Sequence, residues 1–205
     1  MAETPLPHAA PGAPGEPVAT ALPSALAELI AGARPLPDAQ LSTLTLGTRL
    51  SLRLRDEAAI ERAGDAFGVA LPRKACTFAS SETAVAVWLG PDEWFLAADS
   101  ADPSGVAETI AAAIGDAASS LVDVTERSVT LVLSGAKATQ VLNAGCPLDL
   151  ADAAFPVGSG TRTVLGKSEI VLCRAGPQEF HIDVWRSFAP YVFGLLDEAR
   201  RDLRA

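Results

Sequence analysis

Histidine is nearly missing from this chain. Its 205 residues include two, His8 and His181, with three cysteines, one methionine, one tyrosine and 5% aromatics. His8 sits in a Pro/Gly-rich stretch, so at most one imidazole belongs to the folded body. That leaves almost no material for a histidine metal site or a Ser-His-Asp relay. Cys76, Cys146 and Cys173 are 70 and 27 residues apart, with no CxxC and no His at ligand spacing. Zinc-finger and thioredoxin readings therefore fail, and no metal site is expected. An odd number of scattered cysteines points to reduced thiols in the cytoplasm. Clustered basic charge is lacking too: sixteen Lys and Arg are dispersed in a chain of net charge −9. Neutralising a phosphate backbone needs such clusters, so a nucleic-acid partner is excluded. No Lys or Arg precedes Arg34 and no apolar run reaches membrane-spanning length, so neither a secretory signal nor a membrane partner is expected and the expected location is the cytoplasm.

What is present is a core. At 49% apolar and 20% charged residues, the chain can bury one large or two small domains. Residues 1–23 carry six prolines and two glycines, a composition that cannot offset the entropy of ordering a backbone, and are read as a disordered arm. Ser24 to Ala31 reads as a short helix capped by Ser24. Leu44, Leu46, Leu50, Leu52 and Leu54 alternate with polar residues, broken at Gly47-Thr48, the period of half-buried strands. Asp56 opens a helix bearing Ile60, Ala63 and Phe67 and ending at Gly68; Val85 to Leu89 and Trp94 to Leu96 form a hairpin about Gly90-Pro-Asp-Glu93. Asp102-Pro103 starts a helix that ends at Gly115, with Pro where its missing N–H costs nothing. A strand from Leu121 to Thr125 follows. Beyond it lie a strand at Val129 to Leu133, a helix at 136–144, strands at 170–174 and 180–185, and a final helix at 188–203.

The second half repeats the grammar of the first. Val87-Trp-Leu-Gly-Pro-Asp-Glu-Trp-Phe-Leu aligns with Cys173-Arg-Ala-Gly-Pro-Gln-Glu-Phe-His-Ile, and Ser51-Leu-Arg-Leu-Arg aligns with Thr130-Leu-Val-Leu-Ser. A duplication follows: an α+β fold of two ferredoxin-like halves, antiparallel sheets with covering helices, at about 40–125 and 126–205 within a single domain spanning 24–205.

Candidates for chemistry are few. Cys146, before Pro147, would need an activating base that the sequence does not supply, and reads as a small apolar filler. Alternation places His181 on one strand face with Asp183, a pairing more common on a solvated or interface face than in catalysis. Asp123 and Asp149 are isolated acids. Asp92 and Glu93 read as turn residues satisfying backbone donors. Neither Gly158-Ser-Gly160 nor Leu133-Ser-Gly-Ala-Lys137 fits a nucleotide fingerprint. No catalytic residue is expected. Trp88, Trp94, Trp185 and Tyr191 stand out in an aromatic-poor chain. Parity turns Trp88 and Trp185 from the face of their aliphatic neighbours, and with Arg186 beside Trp185 these five residues are the candidate interface.

Four motifs in order carry a family resemblance: Trp88-Leu-Gly-Pro-Asp-Glu-Trp94; Val122-Asp-Val-Thr-Glu-Arg-Ser-Val-Thr-Leu-Val-Leu-Ser-Gly135; Val141-Leu-Asn-Ala-Gly-Cys-Pro-Leu-Asp-Leu150 with Phe155-Pro-Val-Gly158; and Arg186-Ser-Phe-Ala-Pro-Tyr191. Together, over about residues 40 to 200, the chain resembles the gamma subunit of heterotetrameric sarcosine oxidase. That family is distantly similar to the folate-binding domain of glycine-cleavage aminomethyltransferases, which implies that fold here. In this chain Cys146-Pro147 stands near the position of that family's Asn, and Asp149 is the one carboxylate placed to meet folate. The resemblance implies a non-catalytic subunit of an αβγδ complex that oxidatively demethylates sarcosine to glycine. The one-carbon unit would go to tetrahydrofolate or leave as formaldehyde, with oxygen reduced to peroxide. FAD, FMN, NAD, zinc and tetrahydrofolate are then expected in the alpha, beta and delta partners and none in this chain. Two alternatives remain open: a tetrahydrofolate-binding module, and a gamma-like subunit of a related complex such as N-methylglutamate dehydrogenase.

Overall fold

The chain is described by a computed structural model covering residues 23–203, so the arm expected over 1–23 lies, apart from Pro23, outside the described residues. Two compact units emerge. The first spans Thr45–Glu126; the second is assembled from the segment ending at Leu44 and from Arg127 onward. Chain order therefore visits the second unit, builds the first, and returns.

The first unit holds β2 (Thr48–Leu54), α2 (Glu57–Phe67), β3 (Phe78–Ser80), β4 (Ala84–Gly90), β5 (Glu93–Ala98), α3 (Pro103–Ile114) and β6 (Ser119–Asp123). Its antiparallel sheet has the order β3-β4-β5-β2-β6. Asp56 caps α2 by accepting the Ala59 N–H at 2.7 Å, and Gly68 ends it in the left-handed region that glycine enters without strain. Asp102 caps α3 through the Gly105 N–H, with Pro103 in the first turn. One sheet face carries Leu50, Leu52, Leu54, Ala84, Ala86, Trp94 and Leu96, packed with Ile60, Ala63 and Phe67 of α2 and Ile110 and Ile114 of α3.

The second unit holds α1 (Ser24–Gly32), β1 (Gln40–Leu44), β7 (Ser128–Ser134), α4 (Ala138–Asn143), β8 (Gly160–Leu165), β9 (Ser168–Gly176), β10 (Glu179–Trp185) and α5 (Ala189–Asp202). Its sheet order is β1-β7-β10-β9-β8. Helices again cover one face: Leu26, Val141, Leu142, Val192, Phe193 and Leu196 pack on Leu131, Leu133, Leu172, Phe180, Ile182 and Val184. Gly135 marks a close approach. Its φ is +122°, and a Cβ there would stand 2.5 Å from the Asp38 carbonyl, where the Lys137 N–H also binds.

Read from one edge, the two sheets have the same order, with β3, β4, β5, β2 and β6 matched by β8, β9, β10, β7 and β1. The hairpins agree in detail. Gly90 pairs with Glu93 and Trp88 with Trp94, leaving Leu89 bulged; Gly176 pairs with Glu179 and Arg174 with Phe180, leaving Ala175 bulged. The Ser51/Thr130 alignment, by contrast, is two residues out of step. Leu54 donates to Asp92 O as Gly135 donates to Gln178 O, so Leu54 corresponds to Gly135, not Leu133. A shift of two keeps every side chain on its own face, so alternation alone cannot detect it.

Other departures are local. The residue before α1 is Pro23, and Ser24 makes no side-chain cap. The edge strands β3 and β8 have no counterpart in the sequence periodicity. α4 is one and a half turns long, starting at Ala138 where 136 was expected.

Candidate docking surface

Trp94 and Trp185 end up in opposite environments. Trp94 is 0% exposed, and its Nε1 donates to Pro72 O at 2.8 Å within the core of the first unit. It is a packing residue there, although its type and position placed it among the interface candidates. Trp88 is half-buried and pairs across the hairpin with Trp94, on the same sheet face as Ala84 and Ala86. The helix-packed face is therefore the one Trp88 shares. Val85 and Val87, which suggested the opposite, are buried on the second face. Both faces of β4 are buried, so parity of the aliphatics could not tell them apart.

Trp185 is 44% exposed at the end of β10, on the face opposite Phe180, Ile182 and Val184. Phe188 meets it edge-on, with ring centroids 6.5 Å apart and planes at 69°. The Arg127 guanidinium lies 5.7 Å from the indole centroid. Backbone bonds hold the corner: Arg186 N donates to Arg127 O and Phe188 N to Trp185 O, each at 2.8 Å. Ser128, opposite Trp185 in the β7–β10 ladder, is buried, and its Oγ has no hydrogen-bond partner among the described residues. Arg186 is half-buried. Tyr191 is exposed, but its hydroxyl accepts the Lys167 N–H at 3.1 Å and so braces the β8–β9 turn.

The sheet face under this corner is polar. Thr130 Oγ1 donates to Asp183 Oδ2 at 3.1 Å, and His181 Nε2 lies 2.9 Å from Glu179 Oε1. His181 thus meets Glu179, two residues back on the same face, while Asp183 accepts from Thr130. Cys173 is buried across from His181; burial, with the Asp183 carboxylate nearby, pushes its thiol far up. Cys146 is buried as well, and desolvation raises its thiol above the ordinary value. Neither is a nucleophile near neutral pH.

Asp92 and Glu93 each pair with an arginine, and the Asp92 carboxylate also accepts a backbone N–H, as a turn residue is expected to do. Arg55 Nε lies 2.7 Å from Asp92 Oδ2, and Arg53 Nη2 lies 2.8 Å from Glu93 Oε2. The hydrogen bond from Arg55 holds the Asp92 carboxyl below its ordinary value. Asp149 is exposed, and its Oδ1 accepts the Ala151 N–H at 3.0 Å in a local turn. Asp123 does the same for Thr125 N at 2.9 Å. A cavity of about 430 Å³ in the first unit is lined by Phe67, Ala98 and Val106; its charged groups are Asp99 and Asp102, which would repel an anionic ligand such as folate. A second, of about 340 Å³, opens beside Arg34, Leu36, Leu41 and Arg200 in the second unit. The Arg200 guanidinium there is committed to Asp197 and to Ala39 O. Among the described residues, no group of three His, Cys, Asp or Glu could hold a metal ion, and no helix is long and apolar enough to cross a membrane.

Two five-stranded antiparallel sheets with packed helices define an α+β protein whose fold resembles that of an aminomethyltransferase. The glycine cleavage system aminomethyltransferase T from Bartonella henselae superposes with a TM-score of 0.55 at 15% identity, over 83% of this chain and 48% of that one, a likeness of fold alone. Closer relations are particular. Residues 54–202 match the model of the sarcosine oxidase, gamma subunit family. The sarcosine oxidase subunit gamma of Corynebacterium sp. (strain P-1) is 32% identical over 178 residues, 85% of this chain and 86% of that protein. A chain of the heterotetrameric sarcosine oxidase from Corynebacterium sp. U-96, solved in complex with pyrrole 2-carboxylate, superposes with a TM-score of 0.78 at 27% identity, covering 88% of this chain and 93% of that one. This chain belongs to the sarcosine oxidase gamma subunit family.

Proposed function

We propose that this chain is the non-catalytic gamma subunit of a heterotetrameric sarcosine oxidase, assembled with alpha, beta and delta subunits that carry FAD, FMN, NAD and zinc. The complex would demethylate sarcosine oxidatively to glycine, delivering the one-carbon unit to tetrahydrofolate or releasing it as formaldehyde. The observation that carries this reading is near end-to-end similarity to a chain of one such heterotetramer, over 88% of this chain and 93% of the other. Local chemistry agrees with it: the acids and thiols that sequence made candidates are engaged by arginines or backbone donors, or are buried as neutral groups.

The frame itself supports a further reading, that residues 24–205 are one duplicated domain built from two ferredoxin-like halves. Equal sheet orders and the matching bulges at Leu89 and Ala175 support it. Trp88, Trp185, Arg186 and Tyr191 are the residues proposed to meet the partners. The test is co-expression of the tagged chain with the alpha, beta and delta subunits. Retention of flavoprotein partners, with no flavin on the chain purified alone, is the expected result; a chain that stays monomeric beside them contradicts the proposal.

A further inference from the structure

We infer that the Trp185 corner of the second unit docks a carboxylate-bearing surface of another subunit of the oxidase. This rests on the gamma-subunit reading and adds the place and the chemistry of one contact.

Three observations converge. Trp185, Phe188 and Val164 are each at least 40% exposed, and Val164 lies on β8 with its side chain on the same sheet face as Trp185. An indole and a phenyl ring left half in water, while the unit's other phenylalanines Phe155, Phe180 and Phe193 are buried, form the kind of anchor that concentrates binding energy when a partner covers it. The corner is also pre-ordered. Its backbone is tied by Arg186 N to Arg127 O and by Phe188 N to Trp185 O, so little freedom is lost on docking. Finally, the buried Ser128 hydroxyl beside Trp185 has no partner among the described residues, a condition that an adjacent polar surface or water would relieve.

The sign of the charge selects the occupant. In a chain with 25 acidic and 16 basic residues, the exposed guanidinium of Arg127 is held over the face of the exposed indole. The planar N–H fork of an exposed guanidinium matches a carboxylate in a bidentate pair. One such cation cannot track a phosphate backbone, whereas it can fix the register of an acidic protein surface. Glu169, which pairs with Val164 and lies between it and Trp185 on the same face, is the one acid within this row, and Arg162 at 3.8 Å offsets its charge.

The experiment measures the affinity of the full-length chain for the co-expressed alpha, beta and delta subunits at 50 and 500 mM NaCl, with wild type, Trp185→Ala, Arg127→Glu and Arg127→Lys. The expected results are a loss of about tenfold or more for Trp185→Ala and for Arg127→Glu, a smaller loss for Arg127→Lys, and a salt dependence that Arg127→Glu abolishes. Arg127 is exposed, so its variants fold even if Trp185→Ala does not, and thermal unfolding of each variant checks this. Wild-type affinity for Arg127→Glu and Trp185→Ala overturns the inference while leaving the gamma-subunit reading intact. Loss on Trp185→Ala alone overturns the acidic occupant. Failure of the wild-type chain to bind overturns both.

Discussion

Arg174 stands opposite Phe180 across the β9–β10 hairpin, its guanidinium 5.3 Å from the ring centroid, at the position that Trp88 holds opposite Trp94 in the first unit. The same ladder site thus carries a cation in one unit and an indole in the other. The reason lies in the loop after α4. Arg174 Nη1 donates to Phe155 O at 2.8 Å and Leu150 O at 3.3 Å, and Nη2 donates to Pro177 O and the Asp152 carboxylate. One buried side chain fastens the segment between α4 and β8 to the hairpin.

Replacing Arg174 by Met should therefore cost about 3 kcal/mol, since several carbonyls lose their donor while the apolar stem is retained. Urea unfolding reads the loss. Limited proteolysis should show new cleavage within 151–154, the exposed tip of that loop.

Exposure separates the two tryptophans. Trp94→Ala should destabilise the chain by about 3–5 kcal/mol through loss of a fully buried indole, whereas Trp185→Ala should change its stability by less than about 1 kcal/mol. If Trp185 docks a partner, its variant should lose complex without losing soluble protein. Equal loss of both would mark it as part of the chain's own packing.

The cysteines should divide in the same way. Cys76 is exposed and should react with iodoacetamide at neutral pH, while Cys146 and Cys173 react only after unfolding. Burial raises both buried thiols, so the folded state keeps their protons at a pH where the unfolded chain has begun to release them. Stability from these thiols is full below the ordinary thiol value of 9.0 and is lost as pH rises above it. Denaturation midpoints measured from pH 7 to 10.5 should fall at the alkaline end, and a Cys146→Ala/Cys173→Ala double variant should show a flatter fall.

Gly135→Ala combines a left-handed φ with a collision at the Asp38 carbonyl. A cost of about 2 kcal/mol or more is expected, with the Lys137–Asp38 backbone bond disturbed, which hydrogen exchange at Lys137 would report. An unchanged midpoint would mean that the 36–39 segment yields freely.

Much of the frame was legible because period-two alternation and capping residues act locally. Asp56, Gly68, Asp102, Pro103 and the Gly-Pro-x-Glu turns each mark the end or the turn they were read to mark. What stayed hidden depends on partners distant in sequence. No local signal sends β1 to pair with β7, or makes β3 and β8 into sheet edges. The same limit explains the site. Alternation turned Trp185 outward correctly, yet Trp94 reads identically by residue type and is buried by α2, α3 and Pro72. Arg127 carries no local signal, since its approach to Trp185 joins residues 58 positions apart.

The central claim is membership in a four-chain oxidase, and native mass spectrometry of the co-expressed subunits tests it most directly. The account predicts one assembly holding a single copy of this chain with one each of the alpha, beta and delta subunits. An intact oxidase of the other three that leaves this chain as a free monomer would contradict it.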